Sequence, residues 1–350
     1  MVIAGRIARS ASVMSPPWPL RDFLGFARRF NFDVFGYLFG NILRLTELDL
    51  NFRSGFGSDN RADGHAALWP GDGCLAAALA SLEGEWLIMQ QALAVAIDAA
   101  HAAGRAIRDL YGRDIAIRQK GEAGPVTEAD LASDACIHRI LRQAYPDDGW
   151  VSEETADRPD RLAKSRVWIV DPLDGTWEFT TGVPEFVVSI ALSVEGVAVL
   201  GVLYNPITEE TFCGLRGEGA WLNGVPMAVS STADLASSTF CVSRTESGRG
   251  LLKGLEARLN LQPRGSVAYK CGLVAAGRYE GVFTCNPRNE WDICAGVAII
   301  EAAGGRVTDR QGEPYRFNQR DPLKRPLAGT NTHVHAALMA VLAEAGAGPR

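Results

Sequence analysis

The sequence predicts a mixed fold in two halves, a helix-flanked antiparallel sheet followed by an α/β half. Two observations predict it. Between about residues 167 and 222, short apolar runs are separated by turn signals, which is typical of antiparallel strands. Beyond about residue 230, strand-like and helix-like segments alternate along the chain. We therefore expect residues 83–229 to form the first half and residues 230–350 the second.

The first half should begin with two helices. Residues 1–82 lack clear periodicity, so we expect an N-terminal extension outside the catalytic fold, with order beginning near Glu83. From there, apolar residues recur at helical spacing from Leu93 to Leu110. A second helix is expected after Thr127, because Asp130 stands three positions on in a capping-box-like arrangement.

Strand signals follow these helices. The predicted strands of the first half are Val167–Val170, Phe186–Val194, Val197–Tyr204, Thr211–Cys213 and Ala220–Leu222. Glu195-Gly196 separates two of them and suggests antiparallel pairing, and Asn223-Gly224 is a strong signal for a tight turn. The second half is predicted to contain strands Thr239–Ser243, Gly281–Thr284, Arg306–Thr308 and Leu327–Gly329, with helices Val267–Ala276, Ile293–Ala303 and Val334–Ala345.

Composition restricts the classes of partner. The net charge of -6, with 22% charged residues, argues against a broad nucleic-acid footprint, which needs a basic excess. The most apolar early stretch, Phe23 to Leu43, is interrupted by charged residues, so we expect no membrane span. Seven scattered cysteines without a C-x-x-C pair predict reduced thiols in a cytoplasmic protein.

The most informative segment is Asp171-Pro-Leu-Asp-Gly-Thr176, directly after the predicted strand Val167–Val170. A buried strand would deliver two carboxylates, Asp171 and Asp174, to a turn shaped by proline and glycine. Two acids at this spacing can share hard cations, and magnesium prefers such oxygen ligands. An Asp-rich turn that only caps the following segment would give the same pattern. The segment alone leaves both interpretations open.

Three further acids stand at the ends of predicted elements. Glu153 follows a short strand-like approach, Asp292 lies at the start of a predicted helix, and Asp130 lies at the start of another. Each has a simpler explanation when it is taken singly. Glu153 could belong to a solvated turn, Asp292 could be a favourable charge at a helix N-terminus, and Asp130 could be only a cap residue.

Together the acids belong to an ordered set of segments. These are Val126-Thr-Glu-Ala-Asp130, Ser152-Glu-Glu-Thr155, Asp171-Pro-Leu-Asp-Gly-Thr176 and Trp291-Asp-Ile-Cys-Ala-Gly296. The set resembles the inositol monophosphatase superfamily over about residues 85–345. The resemblance implies a layered αβαβα sandwich and a magnesium-dependent phosphomonoesterase. Within the superfamily the chain is most similar to 3′(2′),5′-bisphosphate nucleotidases, on the strength of Leu173, the Glu178-Phe179 pair and Lys120.

The resemblance also implies a metal centre with two to three magnesium ions. Glu153, Asp171 and the backbone oxygen of Leu173 would hold the first ion. Asp171, Asp174 and Asp292 would hold the second. These acids would balance the charge of the ions, so that no side-chain nucleophile is needed.

Catalytic and substrate-binding roles follow from the same resemblance. Thr176 and Asp130, together with Glu153, would orient and activate the attacking water. Backbone or hydroxyl groups of Gly175 and Thr176 would donate hydrogen bonds to the phosphate. The residues that we expect to contact the substrate are Asp174, Gly175, Thr176, Gly265, Ser266, Arg288 and Asp292.

One departure from the family pattern bears on the substrate. Inositol phosphatases place a Glu that binds inositol hydroxyls seven residues before the Trp-Asp aspartate, where this chain has Cys285. A thiol is a poor hydrogen-bond acceptor, which counts against inositol monophosphate. Arg288 could meet a second phosphate, or it could be a solvated surface arginine.

The predicted reaction is the metal-assisted hydrolysis of adenosine 3′,5′-bisphosphate to AMP and phosphate, which implies a role in sulfur metabolism and sensitivity to lithium. Two alternatives remain open. One is an inositol monophosphatase or another sugar or polyol phosphatase, and the other is a catalytically silent relative that binds metal or phosphate. The expected partner is a small-molecule phosphate ester, with no nucleic acid or membrane, and a homodimer is a possible assembly.

Overall fold

The computed structural model describes residues 70–119 and 125–345. The residues from Gly84 onward form one compact unit. Most of the predicted extension over residues 1–82 lies outside the described residues, as does Lys120, and the role of that extension stays a prediction.

The described residues form the following elements, numbered in chain order. The helices are α1 (Pro70–Leu110), α2 (Glu128–Ala144), α3 (Thr176–Thr180), α4 (Arg244–Gly248), α5 (Val267–Ala275), α6 (Glu290–Ala302) and α7 (His335–Glu344), with a 3-10 helix at Pro159–Ala163. The strands are β1 (Arg118–Gln119), β2 (Pro125–Val126), β3 (Gly149–Ser152), β4 (Arg166–Asp174), β5 (Val187–Val194), β6 (Val197–Asn205), β7 (Glu210–Leu215), β8 (Gly219–Leu222), β9 (Val225–Met227), β10 (Thr239–Ser243), β11 (Asn260–Arg264), β12 (Gly281–Phe283), β13 (Arg288–Asn289), β14 (Arg306–Asp309), β15 (Leu323–Lys324) and β16 (Leu327–Thr330).

The first helix is longer than predicted. Helix α1 begins at Pro70, ahead of Glu83, where we expected order to begin. Proline is well tolerated in the first turn of a helix, and the alanine- and leucine-rich run from Cys74 to Leu82 has high helix propensity. A run rich in alanine shows no apolar stripe, which explains why periodicity alone did not find this part of the helix.

The first half contains a seven-stranded sheet in the order β3-β4-β5-β6-β7-β8-β9. Strands β3 and β4 are parallel, and every later neighbour is antiparallel. The tight turn predicted at Asn223-Gly224 joins β8 to β9, with φ of 51° and 78° at its two residues. Two positive φ values are the signature of a type I′ turn, so the predicted hairpin is confirmed.

The second half contains a five-stranded sheet in the order β11-β10-β12-β16-β14. Strands β11, β10 and β12 are parallel, whereas β16 runs antiparallel to both of its neighbours. Strand β11 was not predicted. It lies at the sheet edge and contains Pro263, which an edge strand tolerates because one side of it makes no ladder hydrogen bonds.

Alternating side chains divide the core into layers. Trp168 and Val170 of β4 pack with α1 and α2, whereas Ile169 faces α5 and α6 on the other side of the sheet. In the second sheet, Val282 of β12 faces α5 and α6, and Phe283 packs with α7. The layers therefore follow the order helices, sheet, helices, sheet, helix, which confirms the predicted αβαβα sandwich.

Two global expectations concern membranes and thiols. Among the described residues, no helix combines the length and the apolar character that crossing a bilayer requires. The cysteines whose side chains are described are free thiols, namely Cys136, Cys213, Cys241, Cys271, Cys285 and Cys294.

Candidate active site

The predicted acids converge where β3 and β4 end. These strands are parallel, so their carboxyl ends lie at the same edge of the sheet. Glu153 directly follows β3, and Asp171 lies near the end of β4. Carboxylate oxygens of Glu153, Asp171 and Asp292 lie within 4.8 Å of one another. Residues far apart in sequence thus form one acidic cluster.

An irregularity in β4 brings its two aspartates into one cavity. Asp171 is paired with Ser189 and Asp174 with Val187, so the register shifts between them. In a regular strand, residues three positions apart point to opposite faces of the sheet. The bulge interrupts this alternation of side chains between the two faces, and Asp171 and Asp174 both line the same cavity of about 270 Å³.

Gly175 completes this turn. Its φ is 106°, a conformation that residues with a side chain rarely adopt, and an added Cβ would lie 2.9 Å from the Cβ of Phe186. Helix α3 starts at the next residue, Thr176. Gly175 is the N-cap of α3 and Thr176 is its first residue, and helices leave the backbone N–H groups at this end without an intrahelical acceptor.

The acidic cluster is electrostatically unfavourable on its own. Asp171 is buried, and burial followed by the charges of Glu153 and Asp174 raises its pKa well above the ordinary value. Burial, and then the charge of Asp174, raise the pKa of Asp292 to about 7. Bringing a cation among these carboxylates would relieve both the lost hydration and the repulsion.

Hydrogen bonds nevertheless hold three of the acids in place. Asp171 Oδ1 accepts a bond of 3.0 Å from the N–H of Leu173. Asp174 Oδ2 accepts bonds from Ser266 Oγ at 2.5 Å and from the N–H of Ala268 at 2.6 Å. Asp292 Oδ2 accepts a 2.9 Å bond from the backbone of residue 289 as part of the α6 capping box.

The donor set fits magnesium. Besides carboxylates, the cavity is lined by Leu173, whose carbonyl oxygen lies 3.3 Å from Thr176 Oγ1. No cysteine or histidine is among the described residues that line it. A cluster that offers oxygen ligands without thiolate or imidazole suits hard cations such as Mg²⁺.

The two residues predicted to act on water are in contact. Thr176 Oγ1 donates a 2.9 Å hydrogen bond to Asp130 Oδ1. The other oxygen of Asp130 accepts bonds from the N–H and hydroxyl of Thr127, at 2.7 and 2.6 Å, in the predicted capping box of α2. Burial raises the pKa of Asp130, against the opposing effect of these hydrogen bonds. Helix α2 therefore fixes the partner of the Thr176 hydroxyl.

The expected substrate-contacting residues also line the cavity. Gly265, Ser266 and Arg288 do so, although the hydroxyl of Ser266 is directed to Asp174. Arg288 is partly buried, and its Nη2 donates a 2.9 Å bond to the buried carboxylate of Glu246. The structure therefore does not place Arg288 as a freely solvated surface arginine.

Three charged residues near the cavity were not given a role from the sequence. Lys270 and Arg264 line the cavity wall, and Glu178 forms a 3.2 Å ion pair with Arg244 of α4. The side chain of Glu178 also explains Gly265, because a Cβ there would lie 2.4 Å from Glu178 Cγ. Lys270 carried a detectable signal, since it is the one charge in the apolar helix α5.

Comparisons with known proteins agree with this geometry. The model of the inositol monophosphatase family matches residues 88–347. Inositol monophosphatase 3 of Solanum lycopersicum is 35% identical, covering 73% of this chain and 98% of the relative.

Two solved structures extend the comparison. The extragenic suppressor protein suhB of Bartonella henselae is 32% identical, with a TM-score of 0.65 over 72% of this chain and 98% of that one. CysQ of Bacteroides thetaiotaomicron, described as a bacterial member of the inositol monophosphatase family, is 30% identical, with a TM-score of 0.59 over 70% of this chain and 99% of that one. The chain therefore belongs to the inositol monophosphatase family and is a metal-dependent hydrolase of phosphoric monoesters.

Proposed function

We propose that the enzyme uses magnesium and hydrolyses 3′(2′),5′-bisphosphate nucleotides, releasing AMP and phosphate from adenosine 3′,5′-bisphosphate. The observation that carries the choice of substrate is a fixed guanidinium group, that of Arg288, in the cavity wall. Placement in sulfur metabolism, a cytoplasmic location and a homodimeric assembly remain predictions.

The acids supply the metal site. Glu153, Asp171 and the carbonyl of Leu173 would hold one magnesium ion, and Asp171, Asp174 and Asp292 would hold another. Bound magnesium would polarise the phosphate, lower the pKa of the attacking water and neutralise the leaving oxygen. The bulged end of β4 favours this assignment because it presents both of its aspartates to one cavity.

The Thr176–Asp130 pair would orient the water. Because Thr176 Oγ1 donates its own hydrogen to Asp130, a lone pair on that oxygen stays available to accept one from water. Glu153, which belongs to the acidic cluster, would assist in taking the proton. The N–H groups of Gly175 and Thr176 would bind phosphate oxygens, since their position at the start of α3 leaves them without helical acceptors.

Arg288 would bind the second phosphate of the substrate. Burial raises the pKa of both Asp174 and Asp292, and the charge of Arg288 opposes this rise at both carboxyls. Glu246 fixes the guanidinium through one nitrogen and also accepts bonds from the N–H groups of Cys285 and Asn286. A guanidinium has five N–H donors, so others stay available for a phosphate.

Inositol monophosphate is the alternative substrate. It is favoured by the relatives that are named inositol monophosphatases, and the metal chemistry would be the same. At the position of the inositol-binding acid described above, this chain has Cys285, whose N–H donates a 3.1 Å bond to the carboxylate of Glu246. Glu246 is 2% exposed, and its oxygens accept hydrogen bonds from Asn286 and Arg288. These engaged oxygens are poorly suited to accept hydroxyl hydrogen bonds from inositol.

The test compares kcat/KM for adenosine 3′,5′-bisphosphate, 3′-AMP and inositol 1-phosphate. The wild-type enzyme should favour the bisphosphate over both. Arg288→Met should lower the ratio of bisphosphate to 3′-AMP by about 10- to 100-fold, the value of one or two charge-assisted hydrogen bonds. As a control, Arg216→Met removes an arginine of similar exposure that pairs with Glu301 outside the cavity, and it should leave the ratio unchanged. A wild-type preference of about tenfold or more for inositol 1-phosphate would support the alternative.

A further inference from the structure

A buried lysine lies in the wall of the cavity that contains the acidic cluster. Lys270 is 2% exposed and belongs to α5, whose other residues are uncharged. Its Nζ lies 2.7, 3.2 and 3.4 Å from the carbonyl oxygens of Ser266, Gly265 and Arg264. An ammonium group has three N–H donors, and here each has a carbonyl within reach. The side chain is therefore directed at the backbone of the loop ahead of α5.

This loop needs such a partner. Ser266 has a φ of 47°, in the left-handed region that residues with a side chain rarely adopt. The turn brings three consecutive carbonyl groups toward one point, where buried acceptors with too few donors are unfavourable. The carbonyl of Ser266 also accepts a 3.4 Å bond from the backbone N–H of Lys270, and Lys270 Nζ lies within reach of all three carbonyls, which stabilises the strained turn.

The same turn delivers the donors that bind Asp174. Ser266 Oγ and the N–H of Ala268 both donate to Asp174 Oδ2, at 2.5 and 2.6 Å. These short bonds fix one oxygen of the carboxylate and set the direction of the other. No hydrogen bond joins Lys270 Nζ to Asp174 among the described contacts of these two residues.

We propose that Lys270 is a positioning residue for the metal site. It holds the Arg264–Ser266 turn, the turn places the donors of Ser266 and Ala268, and these donors orient Asp174 toward the metal. The inference rests on the proposed assignment of Asp174 to magnesium. Partners that orient metal ligands in this way are commonly worth about 10- to 100-fold in metal affinity.

The direction in which Lys270→Met changes the affinity for Mg²⁺ distinguishes a positioning role of Lys270 from an effect of its charge alone. If Lys270 acted only through its positive charge, Lys270→Met would bind magnesium more tightly, because a like charge near the metal would be gone. If it positions the loop, the same substitution should weaken binding, because Asp174 loses its orientation. We expect the dissociation constant for Mg²⁺ to rise about tenfold.

The experiment is calorimetric titration of Mg²⁺ into the metal-free full-length protein, without substrate. Val274→Ala, at a fully buried position of the same helix, is the matched control for general destabilisation and should keep wild-type affinity. Ser266→Ala should weaken binding in the same direction as Lys270→Met. In the double variant the two effects should be less than additive, since both act through one turn.

Tighter or unchanged binding in Lys270→Met would overturn the proposal, as would full additivity with Ser266→Ala. If Lys270→Met does not fold, Lys270→Gln keeps amide donors for part of the turn. It should then show a weaker loss of affinity, and wild-type affinity would again overturn the proposal. Asp174→Asn separates this inference from the metal assignment. Unchanged Mg²⁺ binding in Asp174→Asn would remove the assignment itself, whereas a loss there with no loss in Lys270→Met would remove only the role of Lys270.

Discussion

Replacing Asp292 by Asn should have opposite effects on stability in the absence and in the presence of magnesium. Without metal, the folded protein holds this carboxylate beside Asp174, and its pKa is raised to about 7. Asparagine keeps an oxygen that can accept the capping bond from the N–H of Asn289 but carries no charge. The metal-free variant should therefore be more stable than the wild type.

The size of the effect follows from the pKa. A change from 3.8 to about 7 corresponds to about 4 kcal/mol, at about 1.4 kcal/mol for each pKa unit. This is an upper bound, because Asp292 is partly exposed and solvent screens its charge. We expect a gain of about 1–2 kcal/mol at pH 8, or roughly 2–8 °C in Tm.

The gain should depend on pH. Between pH 3.8 and about 7, the folded chain holds a proton on Asp292 that the unfolded chain has released. Wild-type stability therefore falls as pH rises through this window and levels off above it. The advantage of Asp292→Asn should accordingly be largest above pH 7 and disappear toward pH 4.

Thermal unfolding with excess chelator and with saturating Mg²⁺ tests both parts. Ligand that binds only the folded state raises stability, by about 2.7 kcal/mol at a hundredfold excess over Kd. The wild type should gain this stability on binding Mg²⁺, and the variant should gain little of it. Asp292→Asn should therefore be the more stable protein without metal and the less stable one with it. Asp148→Asn, whose carboxylate binds Arg166 and Trp168 away from the cavity, should lose stability but keep the Mg²⁺ increment. A metal-free Asp292→Asn protein that is less stable than wild type at pH 8 would refute the reasoning.

Two further predictions concern catalysis. Thr176→Val should lower kcat about 100-fold without changing the calorimetric affinity for Mg²⁺, because it removes only the hydroxyl that contacts Asp130, and Thr176→Ser should restore most of the rate. Equal kcat for Thr176→Val and wild type would exclude the proposed water-orienting role. Mg²⁺ should be required, and both Li⁺ and Ca²⁺ should inhibit, the first because it carries half the charge and the second because its coordination is larger and looser. Steady-state rates over a range of each ion check this, and turnover in excess chelator would contradict the mechanism.

Much of the fold could be predicted because its signals are local. The antiparallel strands β5 to β8 are joined by short turns, and the sequence marks both the turns and the apolar runs between them. Strand β11 escaped prediction because its partner is a parallel strand about twenty residues earlier, and its own sequence of Asn260-Leu-Gln-Pro-Arg264 alternates weakly. Pairing at that distance leaves no local trace.

The site shows the same division. The acids could be predicted because they lie in short segments at strand ends and helix starts, and the pair Thr127 and Asp130 forms a capping box visible in sequence. The role of Glu246 could not be predicted, because its partners lie about forty residues later in the sequence. Only the folded chain brings Arg288 to it. Lys270 was visible as an isolated charge in an apolar helix. Its acceptors are backbone carbonyls, which every residue has, so the sequence does not show which carbonyls it contacts.

Two of the acids assigned to the metal also have bonds that do not require a metal, and this bears on how the site is assembled. Asp292 caps the first turn of α6, and Asp174 accepts from the first turn of α5. The N-termini of these two helices thus face carboxylates of the site, and the partial positive charge of each offsets part of the repulsion among them. The raised pKa values of Asp171 and Asp292 show that the compensation is incomplete. Magnesium would therefore meet a site whose shape is set by capping bonds, and its binding should change the charge of the cluster far more than its geometry.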